Sequence, residues 1–480
     1  MLSRISKPSL VRLARTVSLT AASILVFATI AWGQAVVERV PPMDTPLNDD
    51  LTALDRYVHQ PDSTYAWKIA RTIPGEKGTL WVVDLISQTW LRPDEVDRPV
   101  WQHWLLVYCP REVKSNRAMM FVGGGSNGGE APDKLDLRVA TIAEATNTVV
   151  CELKMVPNQP LIFHGDGIPR KEDDLIAYTW DQYMKTGDQR WPARLPMVKS
   201  VVRAMDTVEA LLASPEGGSL KVNQFVVAGG SKRGWTTWMT AAVDKRVIAI
   251  APIVIDVLNV DQSMQHHYSS YGFWAPAIGD YVHHKIVDRR SDPRYIELLK
   301  IEDPYAYRER LTMPKCIINA TGDQFFCPDS SQFYFGDLPG EKHLCYVPNA
   351  DHSLKGSNAL DTLICFYHCV VNDIPRPEVK WSLEPSRIVV NCTQPPRKVT
   401  LWQAVNNKAR DFREEVIGKA YQPTELKPNG DGEYVAVLKQ PADGWEASFV
   451  QCEFDVGGPS PLRLSTPVKV LPDLLPAAGK

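Results

Sequence analysis

The sequence predicts an α/β protein: a mostly parallel sheet with helices on both faces, followed by a smaller all-β module. Two observations carry this. Up to about residue 370, near-continuous Val/Ile-rich runs alternate with amphipathic segments, as expected of strands covered on both faces. Beyond about residue 375 helical periodicity stops, and short alternating strands separated by Pro, Asn and Gly take over. A chain of 480 residues is long enough for one large domain and one smaller one. A hydrophobic share of 44%, a charged share of 23% and a net charge of −3 describe an ordinary globular protein with no footprint for nucleic acid or anionic membrane. The expected partner is therefore a small-molecule, carbohydrate-ester or peptide substrate.

At the start, Arg4, Lys7, Arg12 and Arg15 precede the apolar run "VSLTAASILVFATIAW", with small residues at Ala31, Gly33 and Ala35. This is the pattern of a secretory signal peptide over residues 1–33, and it implies an exported protein, periplasmic or extracellular, with no membrane anchor after cleavage. The alternative, a transmembrane anchor, needs a longer run. The strands then follow in order: "TLWVVDLISQTW", "VWQHWLLVYCP", "RAMMFV", "TNTVVCELKMV", "VNQFVVAGG", "RVIAIAPIVI", "KCIINATG" and "KHLCYVPNA". The first of them lack intervening helices, so the sheet is expected to begin antiparallel. Helical patterns appear in "KLDLRVATIAEA", "MVKSVVRAMDTVEALLAS", "WTTWMTAAV" and "SLKGSNALDTLICFYHCVVN". Residues 258–312 read as an irregular insertion over the sheet edge, its paired histidines (266/267 and 283/284) suited to surface or pocket lining rather than to zinc.

The large domain is thus expected over 36–375, and the Pro-rich "NDIPRPEVKW" links it to a module over 380–475. There Cys392, Trp402 and Cys452 follow the Cys…Trp…Cys order of an immunoglobulin-like sandwich, and a Cys392–Cys452 disulfide is expected. The alternative is two buried thiols in facing strands. The nine cysteines show neither a CxxC pair nor zinc-type spacing, so no metal or other cofactor is expected. Asn319 and Asn391 head glycosylation sequons.

The chemistry is carried by "FVVAGGSKRGW", residues 225–235. A serine becomes a nucleophile only beside a base and a site that receives the oxyanion. A sharp strand-to-helix turn lined with small residues supplies that geometry in α/β-hydrolases. Gly229, Gly230 and Ser231 before an amphipathic helix fit it, although Arg233 and then Gly234 follow where the common motif has glycine two residues after serine. The alternative is a serine that merely caps a helix. "MMFVGGGSNGG" places Gly123, Gly124 and Gly125 after an upstream strand, where a second oxyanion donor is needed. Asp323 follows "CIINATG" and outcompetes Asp329 by lying nearer the strand end. His352 follows "HLCYVPNA", whereas His343 lies within the strand. The order Ser231…Asp323…His352, each after a strand, defines an α/β-hydrolase triad.

These segments, with "VPNQPLIF", "EDDLIAYTW" and "LPMVKSVVRAMDTVEA", resemble the PhoPQ-activated pathogenicity-related proteins over nearly the whole chain after the leader. The resemblance implies an α/β-hydrolase fold with Ser231, Asp323 and His352 in the triad positions. It leaves the substrate open. The elbow also resembles that of glucuronoyl esterases, where a cation follows the serine, which implies an oxyanion role for Lys232 or Arg233. Dipeptidyl-peptidase-like hydrolases are similar in triad order, and by that likeness Glu172 and Asp173 could hold a substrate amine. The alternative for these acids is a helix start whose dipole favours negative charge. Together these readings give a secreted serine hydrolase of an ester or amide, with the amides of Lys232, Gly124 and Gly125 as oxyanion donors. The rival readings are a glucuronoyl-esterase-like carbohydrate esterase and a catalytically degenerate hydrolase fold that acts by binding.

Overall fold

The computed structural model describes residues 51–113 and 115–479. The signal peptide expected over 1–33 lies outside them. Helix α1 (Ala53–His59) opens on a reciprocal cap, in which the Thr52 hydroxyl accepts from the Asp55 amide and Asp55 accepts from Thr52. Strands β1 (Ala66–Pro74), β2 (Gly78–Thr89) and β3 (Val100–Pro110) form an antiparallel meander. Then come β4 (Arg117–Val122), α2 (Leu137–Thr146), β5 (Val149–Leu153), α3 (Glu172–Thr186) and α4 (Arg194–Ala213). These lead into β6 (Gln224–Gly230), α5 (Lys232–Val243) and β7 (Val247–Ile253). A helical excursion holds α6 (Val260–Tyr271), α7 (Gly279–His283) and α8 (Pro293–Glu302) before β8 (Lys315–Ala320), β9 (Lys342–Val347) and α9 (Ala359–Val371).

The sheet runs β1-β2-β3-β5-β4-β6-β7-β8-β9. It is antiparallel through the β3–β5 pair and parallel from β5 to β9. Successive residues of the parallel strands enter opposite cores, because a strand alternates its side chains. Met120, Val227, Ile317 and Leu344 pack with α4 and α5, while Met119, Val226, Cys316 and Cys345 pack with α2 and α9. This two-sided burial is why the strands read as unbroken apolar runs. The loops after β4, β6, β8 and β9 all leave the same, carboxyl edge of the parallel sheet, where open α/β sheets place their sites. No helix among the described residues is long and apolar enough to cross a membrane.

The carboxy-terminal part contains β10 (Val379–Glu384), β11 (Arg387–Cys392), β12 (Lys398–Asn406), α10 (Glu414–Ile417), β13 (Gln422–Glu425), β14 (Tyr434–Val437), β15 (Trp445–Phe454), β16 (Leu462–Ser465) and β17 (Lys469–Leu471). Two facing sheets are present. One is the three-stranded β10-β11-β14; the other, β16-β15-β12-β13 with β17 on β15, continues the central sheet, because Ser465 of β16 pairs with Leu344 of β9. The expected Cys…Trp…Cys packing is absent. Cys452 joins the core under α9, whereas half-buried Trp402 packs against the opposite cluster. The expected disulfide is also corrected: Cys392 and Cys452 are thiols whose sulfurs stand 3.8 Å apart, in facing sheets but not bonded. Asn319 is buried inside β8, and Asn391 is exposed on β11.

Candidate active site

Ser231 sits at the turn between β6 and α5 with φ 58° and ψ −127°. A side-chain-bearing residue pays roughly 1–3 kcal/mol to hold such a conformation, and it persists only where its surroundings enforce it. Here the enforcement is close packing of the strand end on the helix start. A Cβ on Gly229 would come within 2.7 Å of the Arg233 carbonyl oxygen, and one on Gly234 within 2.9 Å of the Gly229 oxygen and 3.0 Å of the Ile253 oxygen. Gly230 faces open space. Glycine is therefore demanded at 229 and 234, which explains how the turn closes without glycine two residues after the serine. The Ser231 amide donates to the Ile253 oxygen at 2.8 Å, and the Ser231 carbonyl accepts from Trp235.

Asp323 and His352 leave the ends of β8 and β9. His352 Nδ1 donates to Asp323 Oδ2 at 2.8 Å, and Asp323 Oδ1 accepts from the Phe325 amide at 2.8 Å. The Gln324 side chain accepts from the His352 amide, and Phe325 lies 4.4 Å from the imidazole. The two loops are tied together, since Gly322 N donates to Ala350 O, while Gly322 O accepts from Glu414 N of the carboxy-terminal part. Asp329 is engaged elsewhere, with Arg410 Nη2 at 2.6 Å and His266 Nε2 at 2.9 Å. His266 and His267 are both buried rather than on the surface. Although His266, Cys327 and Asp329 converge, Arg410 places a fixed positive charge among them, where a cation would have to sit.

Ser231 lines a narrow cavity of about 60 Å³ together with Lys232, Trp235, Phe325 and Phe326. The His352 ring contacts both phenylalanines in tilted arrangements, with centroids at 4.4 and 6.1 Å. Serine and histidine thus share one neighbourhood, but no hydrogen bond joins them among the described residues. Such contacts commonly tighten only when substrate binds.

The sequence-selected glycines and charges form one connected network. The Arg233 guanidinium lies against Gly124, where a Cβ would come within 2.7 Å of Nη2. It donates to Glu172 through Nη1 and Nη2 at 2.8 and 2.7 Å, and to the Val156 oxygen through Nε at 2.5 Å. All three sets of donors are engaged, so Arg233 is a strut between the elbow and the glycine loop. Lys232 Nζ lies 2.8 Å from Glu172 and 3.0 Å from Asp173, between the two carboxylates. Burial opposes the Glu172 charge, but Arg233 and Lys232 outweigh it and hold its carboxyl well below the usual range. Gln159 bridges Glu172 to the Gly125 oxygen. Sequence reasoning assigned Gln159 no role, although "VPNQPLIF" was a recognisable segment. It also missed Arg194, Tyr281 and Phe325, whose approach to Ser231 depends on chain crossings that leave no local signal.

These features define an α/β protein with a strained serine on a strand–helix turn, beside a histidine–aspartate pair. The chain belongs to the PhoPQ-activated pathogenicity-related protein family, whose model matches residues 54–413. It is 38% identical over 457 residues to autocrine proliferation repressor protein A of Dictyostelium discoideum, covering 88% of this chain and 91% of that one. Among solved structures it is similar to an acetyl xylan esterase from a Paenibacillus species, at 12% identity, TM-score 0.46, and 66% and 92% coverage of the two chains. Acetyl xylan esterase 1 from a Thermoanaerobacterium species is similar at 14% identity, TM-score 0.42, and 62% and 87% coverage.

Proposed function

We propose that the protein is an exported serine hydrolase that cleaves esters through an acyl-enzyme. The observation that carries this reading is the positive-φ Ser231 on the same sheet edge as the His352–Asp323 pair. In the reaction, Ser231 Oγ attacks the carbonyl carbon as His352 Nε2 takes its proton. The oxyanion accepts from the amides of Lys232 and of Gly124 or Gly125, none of which donates to another group among the described residues. Collapse expels the alcohol, which receives the proton from His352, and water repeats the sequence to release the acid. Asp323 holds the imidazole tautomer and stabilises its charged form.

An ester is favoured over a dipeptidyl amide because the Lys232 ammonium already fills the space between Glu172 and Asp173. A substrate amine would have to displace it. A glucuronoyl-esterase-like carbohydrate ester fits this preference. In the folded enzyme, the facing sheets of the carboxy-terminal part, immunoglobulin-like in the sequence reading, brace the acid and base loops. Ser231→Ala should lower hydrolysis of p-nitrophenyl acetate by about a million-fold with the fold retained. Unchanged turnover in that variant removes Ser231 from the reaction. A second reading, a regulator that does not turn over substrate, is favoured by the repressor name of the Dictyostelium relative. Purified protein that hydrolyses no ester or amide supports it.

A further inference from the structure

The cavity beside Ser231 contains a cation that the proposed mechanism does not use. Arg194, the first residue of α4, is 1% exposed and lines this cavity. Its guanidinium carbon lies over the Trp235 ring, 3.9 Å from the centroid. The Trp235 amide donates to the Ser231 carbonyl across the first turn of α5, and Ser231, Trp235 and Arg194 all line the same cavity. Around it the walls are apolar and aromatic: Trp180, Ile255, Val257, Tyr281 and Tyr295.

A buried arginine that serves only structure normally shares a two-pronged pair with a carboxylate. Arg194 does not. Nε approaches Glu302 Oε2 at 3.2 Å, yet neither Nε nor Nη1 has a hydrogen-bond partner among the described residues. Leaving buried charged donors unmade is costly. Glu302 is fully buried as well, and burial pushes its carboxyl up from the usual range despite Arg194 beside it. The remaining charges at the cavity are matched: Lys232 by Glu172 and Asp173, Asp173 further by the Tyr281 hydroxyl, and Arg290 by Asp261. Both Glu302 oxygens likewise lack hydrogen-bond partners among the described residues, but Arg194 and not Glu302 lines the cavity, so the incompletely bonded charge that faces this largely apolar pocket beside the nucleophile is positive.

We infer that this cavity is the acyl subsite and that it takes an aliphatic acyl chain ending in a carboxylate, which Arg194 binds. The inference rests on the hydrolase reading for the word acyl, but the binding it asserts can be measured without turnover. In Ser231→Ala protein, which leaves esters intact, calorimetry with monomethyl adipate, methyl hexanoate and methyl 6-aminohexanoate compares one chain length with three end groups. The carboxylate should bind at least tenfold more tightly than the methyl end, the ordinary worth of a charge-assisted hydrogen bond, and the ammonium should bind worst. Adding Arg194→Met with Glu302→Gln, which removes both charges together, should bring the carboxylate-to-methyl ratio to about one. Equal binding of the three, tighter binding of the ammonium, or a ratio that survives loss of Arg194 overturns the subsite. The ordering in the parent protein decides the matter even if the double replacement does not fold. Fluorophosphonate labelling of unmodified protein, run in parallel, shows separately whether the hydrolase reading stands.

Discussion

Replacing Arg410 by Met tests whether the carboxy-terminal part is an appendage or a brace. Arg410 and Asp329 are both buried, and Nη2 meets Oδ2 at 2.6 Å while Nη1 donates to the Ser270 hydroxyl at 3.0 Å. Burial opposes the Asp329 charge, and Arg410 with His266 overcomes it, holding that carboxyl well below the usual range. Removing the guanidinium leaves the carboxylate buried with His266 as its remaining ion partner. Breaking a buried pair from one side costs about 3–5 kcal/mol, whereas removing both charges is often close to neutral. Urea unfolding followed by tryptophan fluorescence should therefore show Arg410→Met destabilised by about 3–5 kcal/mol, and Arg410→Met with Asp329→Asn recovering more than half of it. Because Asp329 lies six residues beyond Asp323 on the same loop, p-nitrophenyl acetate hydrolysis should fall in the single variant and recover in the double. A single variant within about 1 kcal/mol of the parent shows that the bridge is solvated and that the brace argument is wrong.

Other expectations follow from the same contacts. Gly229→Ala, which forces a Cβ to within 2.7 Å of the Arg233 oxygen, should slow ester hydrolysis at least tenfold, while Gly230→Ala, facing open space, should stay within about threefold; equal effects would mean that the elbow is not set by this packing. Lys232→Gln removes the ammonium from between Glu172 and Asp173 while Arg233 still holds Glu172, so the rate on an alanyl ester relative to a propionyl ester should rise at least tenfold through Asp173, and an unchanged ratio removes the acid pair from specificity. Glu341 is paired by Arg376 and by His343; burial opposes its charge, but these partners hold its pKa down at about 2. A depressed carboxyl contributes stability that is full above its unfolded value near 4.3 and is lost as pH falls through the folded value. The gap in urea midpoint between parent and Arg376→Ala should thus be constant above about pH 5 and close between about pH 4 and 2. A gap independent of pH would show that Arg376 acts through packing alone.

Strands β2 to β9 were legible because burial writes long apolar runs, whereas β1, with no buried residue along its length, was not read; the antiparallel start followed from the missing helices between the first strands that were. The choice of Asp323 over Asp329 rested on distance from the strand end, and in the structure Asp323 is the carboxylate bonded to His352. The start of α3 was legible as one of two readings of Glu172 and Asp173, but its body and the helices of the 258–312 excursion were not. In α3 a continuous run from Leu175 to Tyr178 is buried, with Trp180, Tyr183 and Met184 beyond it, so no clean apolar stripe marks the helix. The engagement of Glu172 by Lys232 and Arg233 crosses about sixty residues, and the single β9–β16 pairing that fuses the carboxy-terminal strands to the central sheet crosses more than a hundred. Neither leaves a trace in local composition. Cys392 and Cys452 were correctly placed in facing strands, but spacing cannot show whether two sulfurs bond. The burial of Asn319 inside β8 makes a glycan there incompatible with the fold, which leaves Asn391 as the usable sequon.

The central claim is that Ser231 is an activated nucleophile. Incubation with a fluorophosphonate probe, followed by intact mass and peptide mapping, measures this without any assumption about substrate. One probe per chain, carried on Ser231, abolished by Ser231→Ala and strongly slowed by His352→Ala, is the expected result. A folded protein that takes up no probe, or takes it up equally well without His352, contradicts the account.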